Sequence, residues 1–332
     1  MAELHVVIEG FLIAFLCTFL LIPICRWLAT LLGCIDTPDG KIKIHTSPIP
    51  HWGGCAIYFG FIIPFFLFVF HPFFVYLFAG LTALFLVGFV DDCIVLNPQQ
   101  KFLGQFVAAL LCFATLFHYK NFLFSGWYFL GYLLWVLTII NAFNLIDVMD
   151  GLAALQALCI STTFLMYALC SGLLAEAAIL AIFIGTLSAF FTYNAPPASI
   201  YLGDAGALYI GGFLSFIPFL FDWGSGDLYQ DFLLLPLFFV PLLELCGLIV
   251  IRTYKGIPCY RGSLDHFAIY FIKSGWSKWM VLAYVFIANI ALGTIFFALV
   301  VNKLAVQYIM ALYFGIVALW VLILYKAFYK KK

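Results

Sequence analysis

Long apolar segments follow one another along the chain and are separated by short polar stretches. We identify eleven of them as candidate helices, near residues 6–31, 55–70, 73–90, 103–118, 127–143, 151–171, 174–193, 207–221, 232–251, 279–300 and 305–325. A helix that crosses a bilayer needs about 20 apolar residues. Because 66% of the 332 residues are hydrophobic and only 9% are charged, polar side chains cannot cover these segments in water. The sequence therefore predicts an all-α, polytopic membrane protein with about eleven transmembrane helices, folded as one integral membrane domain over residues 1–332.

Basic residues give the orientation of these helices. No Lys or Arg precedes the first apolar segment, which predicts an N-terminus outside the cell and, after eleven crossings, a cytosolic C-terminus. With this topology thirteen of the fifteen basic residues lie on the cytosolic side, and only Lys120 and Lys303 lie outside. Such an excess is typical of cytosolic loops. The net charge of zero and the lack of a basic patch give no indication of a nucleic-acid partner.

Eight aspartates collect on the same predicted cytosolic side. They are Asp36, Asp39, Asp91, Asp92, Asp147, Asp150, Asp204 and Asp265. Acidic residues avoid the interior of a bilayer unless they have a function or a partner. Their concentration on one face predicts a functional site there.

The segment 36–54 is rich in proline and glycine, which indicates a shaped loop. Within it Lys41, Lys43 and His45 offer positive charge to an anionic ligand. A plain basic loop on the cytosolic side is the alternative interpretation.

The segment 88–105 contains two adjacent carboxylates, Asp91 and Asp92, at a predicted helix end. Such a pair is suited to holding Mg²⁺ or to general-base use of the member whose pKa is raised. Lys101 in the same segment is able to neutralise a phosphate. A solvated acidic pair that ends a helix remains an equal alternative.

Two further segments carry oxygen ligands. If residues 141–151 are helical, a polar side chain recurs every third position and forms a narrow stripe, at Asn141, Asn144, Asp147 and Asp150. Hard cations prefer such carboxylate and amide oxygens. In the segment 194–206, glycines around Asp204 allow a ligand to approach the backbone, the carboxylate is a metal ligand, and Tyr201 is able to stack on a planar group.

The last cytosolic segment, 252–267, combines basic residues such as Arg261 with the step Asp265-His266. His266 is suited to phosphate binding or to capping a helix, and both interpretations stay open. We count Arg261 and His266 among the candidate substrate-binding residues.

Four of these segments, in this order, resemble the polyprenyl-phosphate N-acetylhexosamine-1-phosphate transferases of glycosyltransferase family 4. The pattern Asp-x-Pro…Lys-x-His…Pro-x-Pro-x-x-Gly-Gly lies at 36–54, and Asp-Asp…Lys-x-x-x-Gln lies at 91–105. Asn-x-x-Asn-x-x-Asp-x-x-Asp-Gly lies at 141–151, and Gly-Asp-x-Gly lies at 203–206. The family's histidine-rich motif is reduced here to Asp265-His266-Phe267.

The resemblance implies a role for each matching residue. Asn144 and Asp204 would hold Mg²⁺, with Mn²⁺ as a second option, on the UDP pyrophosphate. Asp91 and Asp92 would position or deprotonate the lipid phosphate, and Lys101 would neutralise charge during transfer. A nucleotide pocket would be lined by further residues of the motifs, namely Asp147, Asp150 and Tyr201. Lys43 and His45 are counted among the candidate substrate-binding residues because they offer positive charge to an anionic ligand.

The implied activity is transfer of phospho-N-acetylhexosamine from a UDP-sugar to undecaprenyl or another polyprenyl phosphate, with release of UMP. It would take place at the cytosolic face of the inner (plasma) membrane, and a homodimer is one option for the assembly. Eleven helices and a cytosolic C-terminus are similar to the N-acetylglucosamine-1-phosphate branch. Two alternatives stay open, a phospho-N-acetylmuramoyl-pentapeptide transferase and, in another class, a cation-coupled membrane transporter.

Overall fold

The structure is a computed structural model, and it describes residues 4–37, 48–120, 126–221 and 235–302, together with positions 315 and 318. The eleventh predicted helix, near 305–325, lies outside the described residues, as do Lys43 and His45. The chain divides into two compact units, Met1–Phe221 and Asp222–Lys332. The single membrane domain over residues 1–332 stays a prediction.

The first unit is built almost entirely of helices. They are α1 (Leu4–Leu31), α2 (Gly53–Phe68), α3 (Val75–Ile94), α4 (Pro98–Lys120), α5 (Gly126–Ile146), α6 (Leu152–Cys170), α7 (Leu174–Asn194) and α8 (Gly203–Phe216). Two short strands, β1 (Ile35–Asp36) and β2 (Ile49–Pro50), pair antiparallel. Single 3₁₀ turns cover Pro72–Phe74 and Ile217–Leu220. Every predicted helix from 6–31 to 207–221 has a counterpart here.

The second unit contains α9 (Phe239–Tyr254), α10 (Phe267–Lys273) and α11 (Lys278–Asn302). The prediction of helices near 232–251 and 279–300 corresponds to α9 and α11. The short helix α10 has no counterpart in the sequence prediction, because its seven residues are too few to give an apolar period of their own.

Eight helices within the described residues are long and apolar enough to cross a membrane. They are α1, α3 with its preceding 3₁₀ turn, α4 to α7, α8 with its following 3₁₀ turn, and α11. The helix α2 is apolar but has only 16 residues. The prediction of an all-α, multi-pass membrane protein is therefore confirmed at this level.

The helix α8 lies at the centre of the first unit, where it packs against α2, α3, α5 and α6. Small residues allow this close packing, as they commonly do between membrane helices. A Cβ on Gly54 of α2 would clash with the backbone of Gly206, and a Cβ on Gly211 would lie 2.8 Å from Cα of Ile140 on α5. The start of α8 is thereby held beside the end of α3 and the start of α2.

Candidate functional site

Two carboxylates and one ammonium group meet where α3 ends and α4 and α8 begin. The Nζ of Lys101 lies 2.7 Å from Oδ2 of Asp204 and 2.9 Å from Oδ2 of Asp91. The other oxygen of Asp204 accepts a hydrogen bond from the amide Nδ2 of Asn144. We call these four residues the acid–lysine cluster, and the structure brings them together as the sequence predicted.

The tight turn between α3 and α4 positions Lys101. Asn97 and Gln100 cap the start of α4 reciprocally, since each side-chain oxygen accepts the other residue's backbone N–H, at 2.9 and 3.1 Å. Pro98 follows Asn97 at the first helical position, where a missing N–H is harmless. Asp91 closes the turn from the other side by accepting the N–H of Leu96 at 2.5 Å. Lys101 therefore lies in the first turn of α4, directly after the capped start of that helix.

The two adjacent aspartates point to different partners. Whereas Asp91 binds Lys101, Asp92 accepts backbone N–H groups of α8, from Asp204 at 2.7 Å and from Ala205 at 3.1 Å. Both aspartates lie in the last turn of α3, which ends at Ile94 and not near residue 90 as predicted. The alternative interpretation, a helix-terminating acidic pair in solvent, is therefore wrong, because both carboxylates bind protein groups.

The predicted polar stripe on 141–151 is helical only in its first half, because α5 ends at Ile146. The side chain of Asn141 donates to Oε1 of Gln105 at 2.8 Å and to the carbonyl of Leu137 at 2.7 Å. Asn144, in the last turn of α5, reaches Asp204. Asp147 and Asp150 follow in the turn between α5 and α6.

Asp147 lies close enough to the cluster to be affected by its charge. Its pKa is raised to about 8, first by burial and then by the negative charges of Asp204, Asp92 and Asp150. A carboxyl group in this environment is neutral at neutral pH unless positive charge is added nearby. The acidic surroundings are thus suited to a cationic ligand.

Asp150 and Asn194 shape the loop between α7 and α8. Asp150 accepts the N–H of Ala198 at 3.2 Å. Asn194 accepts the N–H of Gly151 at 2.9 Å and donates to the carbonyl of Ile200 at 2.9 Å. Sequence reasoning assigned Asn194 no role, although an amide at the end of the apolar helix α7 was a signal for one.

Tyr201 is fixed by its backbone. Its N–H donates to the carbonyl of Pro50 at 2.8 Å, and its carbonyl accepts the N–H of Gly53 at 2.9 Å. Burial, followed by the negative charges of Asp150, Asp36 and Asp147, raises the pKa of its phenol. Tyr201 is therefore a partly exposed aromatic residue among the acids of the site.

The second unit holds the other two predicted site residues. Arg261 is exposed, whereas His266 is buried and its Nδ1 lies 2.7 Å from Oε1 of Glu244. The second oxygen of Glu244 accepts the N–H of Phe267 at 3.4 Å. His266 occupies the N-cap position of α10 without a side-chain capping bond, so the helix-capping interpretation of its imidazole is wrong.

The donor set at the acid–lysine cluster fits a magnesium ion that is completed by a substrate. Among the described residues no group of three or more His, Cys, Asp or Glu side chains is arranged to hold a metal. Mg²⁺ needs fewer, since proteins commonly bind it through one or two carboxylates together with substrate phosphates and water. Asp204, whose side chain is 31% exposed, and the amide of Asn144 are donors of this type.

The fold and the site define a class of protein, a multi-pass membrane protein whose helix ends bring two carboxylates and a lysine together. Residues 74–221 match the sequence profile of glycosyl transferase family 4. The chain is similar to this family over that region, which indicates an enzyme of the transferase class. The matching region includes every residue of the acid–lysine cluster.

The chain is similar to bacterial enzymes over most of its length. It is 27% identical over 280 residues to a protein of Bacillus subtilis (strain 168) named probable undecaprenyl-phosphate N-acetylglucosaminyl 1-phosphate transferase, covering 78% of this chain and 75% of that protein. It is 27% identical over 313 residues to the phospho-N-acetylmuramoyl-pentapeptide-transferase of Listeria welshimeri, covering 84% of this chain and 94% of that protein. The protein of the same name from Limosilactobacillus fermentum is 30% identical over 219 residues, which cover 60% of this chain and 66% of that protein. All three names are those of transferases, which favours the transferase hypothesis over the transporter.

Proposed function

We propose that this protein transfers a phospho-N-acetylhexosamine, N-acetylglucosamine 1-phosphate, from its UDP-sugar to undecaprenyl phosphate and releases UMP. The observation that carries the proposal is the position of Lys101 between Asp91 and Asp204, within the region that matches the family. The similarity to the Bacillus subtilis protein supports the choice of donor and acceptor. The reaction would be the first membrane step of a cell-envelope glycan.

The reaction is an in-line displacement at phosphorus. An oxygen of the lipid phosphate forms a bond to the sugar-proximal phosphorus, and the bond from that phosphorus to the oxygen of UMP breaks, so that UMP leaves with the electron pair. Both reactants are anionic, and the ammonium of Lys101 reduces their repulsion. Asp91, 2.9 Å from that ammonium, is the candidate to orient or deprotonate the lipid phosphate. Positioning and charge neutralisation supply most of the catalysis in phosphoryl transfer.

The proposed cofactor is Mg²⁺, or Mn²⁺, held by Asp204 and Asn144. When bound, it would offset the negative charge of the UDP pyrophosphate. Asn144 orients the Asp204 carboxylate by donating to one oxygen, while Lys101 binds the other.

The remaining substrate contacts are also proposals. Asp147, Asp150 and Tyr201 would line the nucleotide pocket, with the Tyr201 ring stacked on uracil. Further substrate contacts are proposed for Lys43, His45, Arg261 and His266, whose side chains suit an anionic ligand. The eleven-helix topology with an outside N-terminus, the inner-membrane location, the cytosolic site and a homodimer belong to the same proposal.

The test is Asp204→Ala in membranes supplied with UDP-N-acetylglucosamine, undecaprenyl phosphate and Mg²⁺. We expect UMP release to fall by at least about 10³-fold, because the variant removes a charged group from the centre of the cluster. Glu176→Gln is the matched control, since Glu176 lies in the first turn of α7, at the opposite end of that helix from Asn194. Turnover of Asp204→Ala like that of the control would contradict the assignment.

A second donor is favoured by the relatives from Listeria and Limosilactobacillus, which are named for a phospho-N-acetylmuramoyl-pentapeptide. A panel of UDP-sugars, each incubated with undecaprenyl phosphate and analysed by product mass, decides between the two. We expect the simple N-acetylhexosamine donors to react. Selective reaction of the muramoyl-pentapeptide donor would show that the protein is a phospho-N-acetylmuramoyl-pentapeptide transferase instead.

A further inference from the structure

The first turn of α8 is capped by a side chain from another helix, α3. The first N–H groups of an α-helix have no partner within the helix and need acceptors from elsewhere. Leu202, at the N-cap position of α8, provides no side-chain acceptor. Asp92, on α3, provides two acceptors. Its Oδ1 accepts the backbone N–H of Asp204 at 2.7 Å, and its Oδ2 accepts the backbone N–H of Ala205 at 3.1 Å. A carboxylate is favourable here because the helix N-terminus carries partial positive charge.

The surrounding backbone is built closely around this carboxylate. Gly203 has a φ of +72°, and a Cβ there would lie 2.6 Å from Oδ2 of Asp92 and would also clash with the carbonyl of His51. One turn before Asp92, Gly88 allows α3 to approach α8, because a Cβ on Gly88 would lie 2.5 Å from Cα of Ala205. The backbone carbonyl of Asp92 lies 3.1 Å from Nε2 of His51. Asp92 is therefore held on both its side chain and its main chain.

The same contact fixes the residue whose side chain completes the acid–lysine cluster. The backbone N–H of Asp204 donates to the carboxylate of Asp92. The side-chain carboxylate of Asp204 accepts hydrogen bonds from Lys101 and Asn144. Loss of the cap would release the first turn of α8 and move that carboxylate. Asp91, by contrast, contacts the cluster through its own carboxylate.

We infer that Asp92 is a positioning residue, which holds the Asp204 carboxylate in place through the first turn of α8, and that Asp91 alone of the adjacent pair acts on the substrates. The role of Asp204 as a metal ligand rests on the proposed function. The hydrogen bonds from α8 to Asp92 do not depend on that function, and a separate experiment tests each of the two.

The first measurement is hydrogen exchange of the full-length protein in lipid nanodiscs without substrate. We expect the amides of Asp204 and Ala205 to exchange at least about tenfold faster in Asp92→Ala, because the open first turn loses protection. Asp91→Asn is the matched control and should leave their exchange unchanged. Equal exchange in Asp92→Ala and in the unaltered protein would overturn the inference, whether or not the protein turns over any UDP-sugar.

The second measurement is steady-state kinetics of the milder variant Asp92→Asn, which keeps one acceptor oxygen. We expect kcat to fall about tenfold, and the Mg²⁺ concentration for half-maximal rate to rise about tenfold, as when support of a metal ligand is lost. The KM for undecaprenyl phosphate should stay within about twofold, and Asp92→Ala should be worse than Asp92→Asn. A raised lipid KM with an unchanged Mg²⁺ requirement would show direct contact with the lipid phosphate and overturn the inference. A lower kcat alone, with both other quantities unchanged, would show a merely structural role and also overturn it. If the unaltered protein releases no UMP from any UDP-sugar, the proposed function fails and the exchange experiment still decides the role of Asp92.

Discussion

Two carboxylates, one in each unit, bind the first backbone amides of a helix that is distant in sequence. Asp92 binds the N–H groups of Asp204 and Ala205 at the start of α8. Glu244 binds the N–H of Phe267 at the start of α10 with one oxygen and Nδ1 of His266 with the other. The difference is that both oxygens of Asp92 go to the backbone, whereas Glu244 shares its contacts between the backbone and a titratable side chain.

The charged side chains beside the two caps differ in their exposure. Beside Asp92, the side chains of Lys101 and Asp204 remain 18% and 31% exposed. Glu244 and His266 bind each other, and their side chains are only 5% and 8% exposed. A carboxylate that caps a helix from another helix is thus able to leave the neighbouring charged groups accessible, as at α8, or to bind a neighbouring titratable side chain, as at α10.

Lys101 gives the largest expected effect, because its removal leaves Asp91 and Asp204 as like charges without their shared cation. We expect Lys101→Gln to lower kcat/KM by about 10³-fold, the upper range for loss of one charge-stabilising group. Lys101→Arg keeps the charge and should lose less. The measurement is UMP release at saturating Mg²⁺.

The corresponding control is in the second unit, where Lys255 pairs with Asp265. This pair is partly exposed, and exposed ion pairs contribute little. Lys255→Gln should therefore change turnover by no more than about threefold. Equal losses from Lys101→Gln and Lys255→Gln would remove the distinction between the accessible cluster and the second unit.

Gly203 gives the next effect, since its substitution disturbs the cap at α8 without changing a charge. Gly203→Ala should lower stability by about 3 kcal/mol, because the residue combines a positive φ with a close approach to Asp92. Gly172→Ala is the matched control, with a φ of +73° and no atom within 4 Å of the added Cβ. It should cost about 1 kcal/mol, the conformational penalty alone. Thermal unfolding of both variants is the measurement, and equal losses would mean that the crowding at Gly203 has no energetic weight.

The positions of α3 and α8 show what the sequence could and could not predict. Apolar length identified both helices, but α8 begins at Gly203 and not near residue 207 as predicted. Its cap is Asp92, 112 residues earlier in the chain, and local sequence rules consider only neighbouring residues. The end of α3 was also placed too early, because the acids that look like a helix end have their partners within the fold.

The sequence predicted which residues form the candidate site, but it did not predict that Asp91 and Asp92 have different partners. Asp91, Lys101 and Asp204 were found from charge, and Asn144 from a polar stripe, on an apolar background, and the structure brings them together. Adjacent residues on a helix point in directions about 100° apart, so Asp91 and Asp92 reach different partners. The pairing of Glu244 with His266 spans 22 residues of chain, including a loop, and no periodicity in the sequence indicates it.

The buried pair in the second unit should have a moderate effect, mainly on stability. Glu244→Gln and His266→Gln should each lower the free energy of unfolding by about 2 kcal/mol, since each leaves a buried partner incompletely satisfied. The double variant should lose less than the sum, because both changes remove the same contact. Thermal unfolding of the three variants measures the coupling. Strict additivity would show that the pair does not act as a unit, and a raised KM for the UDP-sugar in His266→Gln alone would support its proposed substrate contact.

Asp147 gives the most specific effect, which depends on pH. Its folded-state pKa is raised to about 8 from an ordinary value of 3.8, so the folded chain binds more protons than the unfolded chain between these values. Stability from this group is therefore present at low pH and is lost as the pH rises towards about 8, by at most about 1.4 kcal/mol per pH unit. Asp147→Asn keeps a neutral side chain at every pH. In Mg²⁺-free buffer its melting temperature should exceed that of the unaltered protein by a margin that grows from pH 5 to 8 and then levels off. Parallel curves for Asp147→Asn and the unaltered protein would mean that the charge of the acid–lysine cluster and its neighbours does not reach Asp147. Mg²⁺ should reduce the margin, because positive charge at Asp204 favours the ionised form of its acidic neighbours.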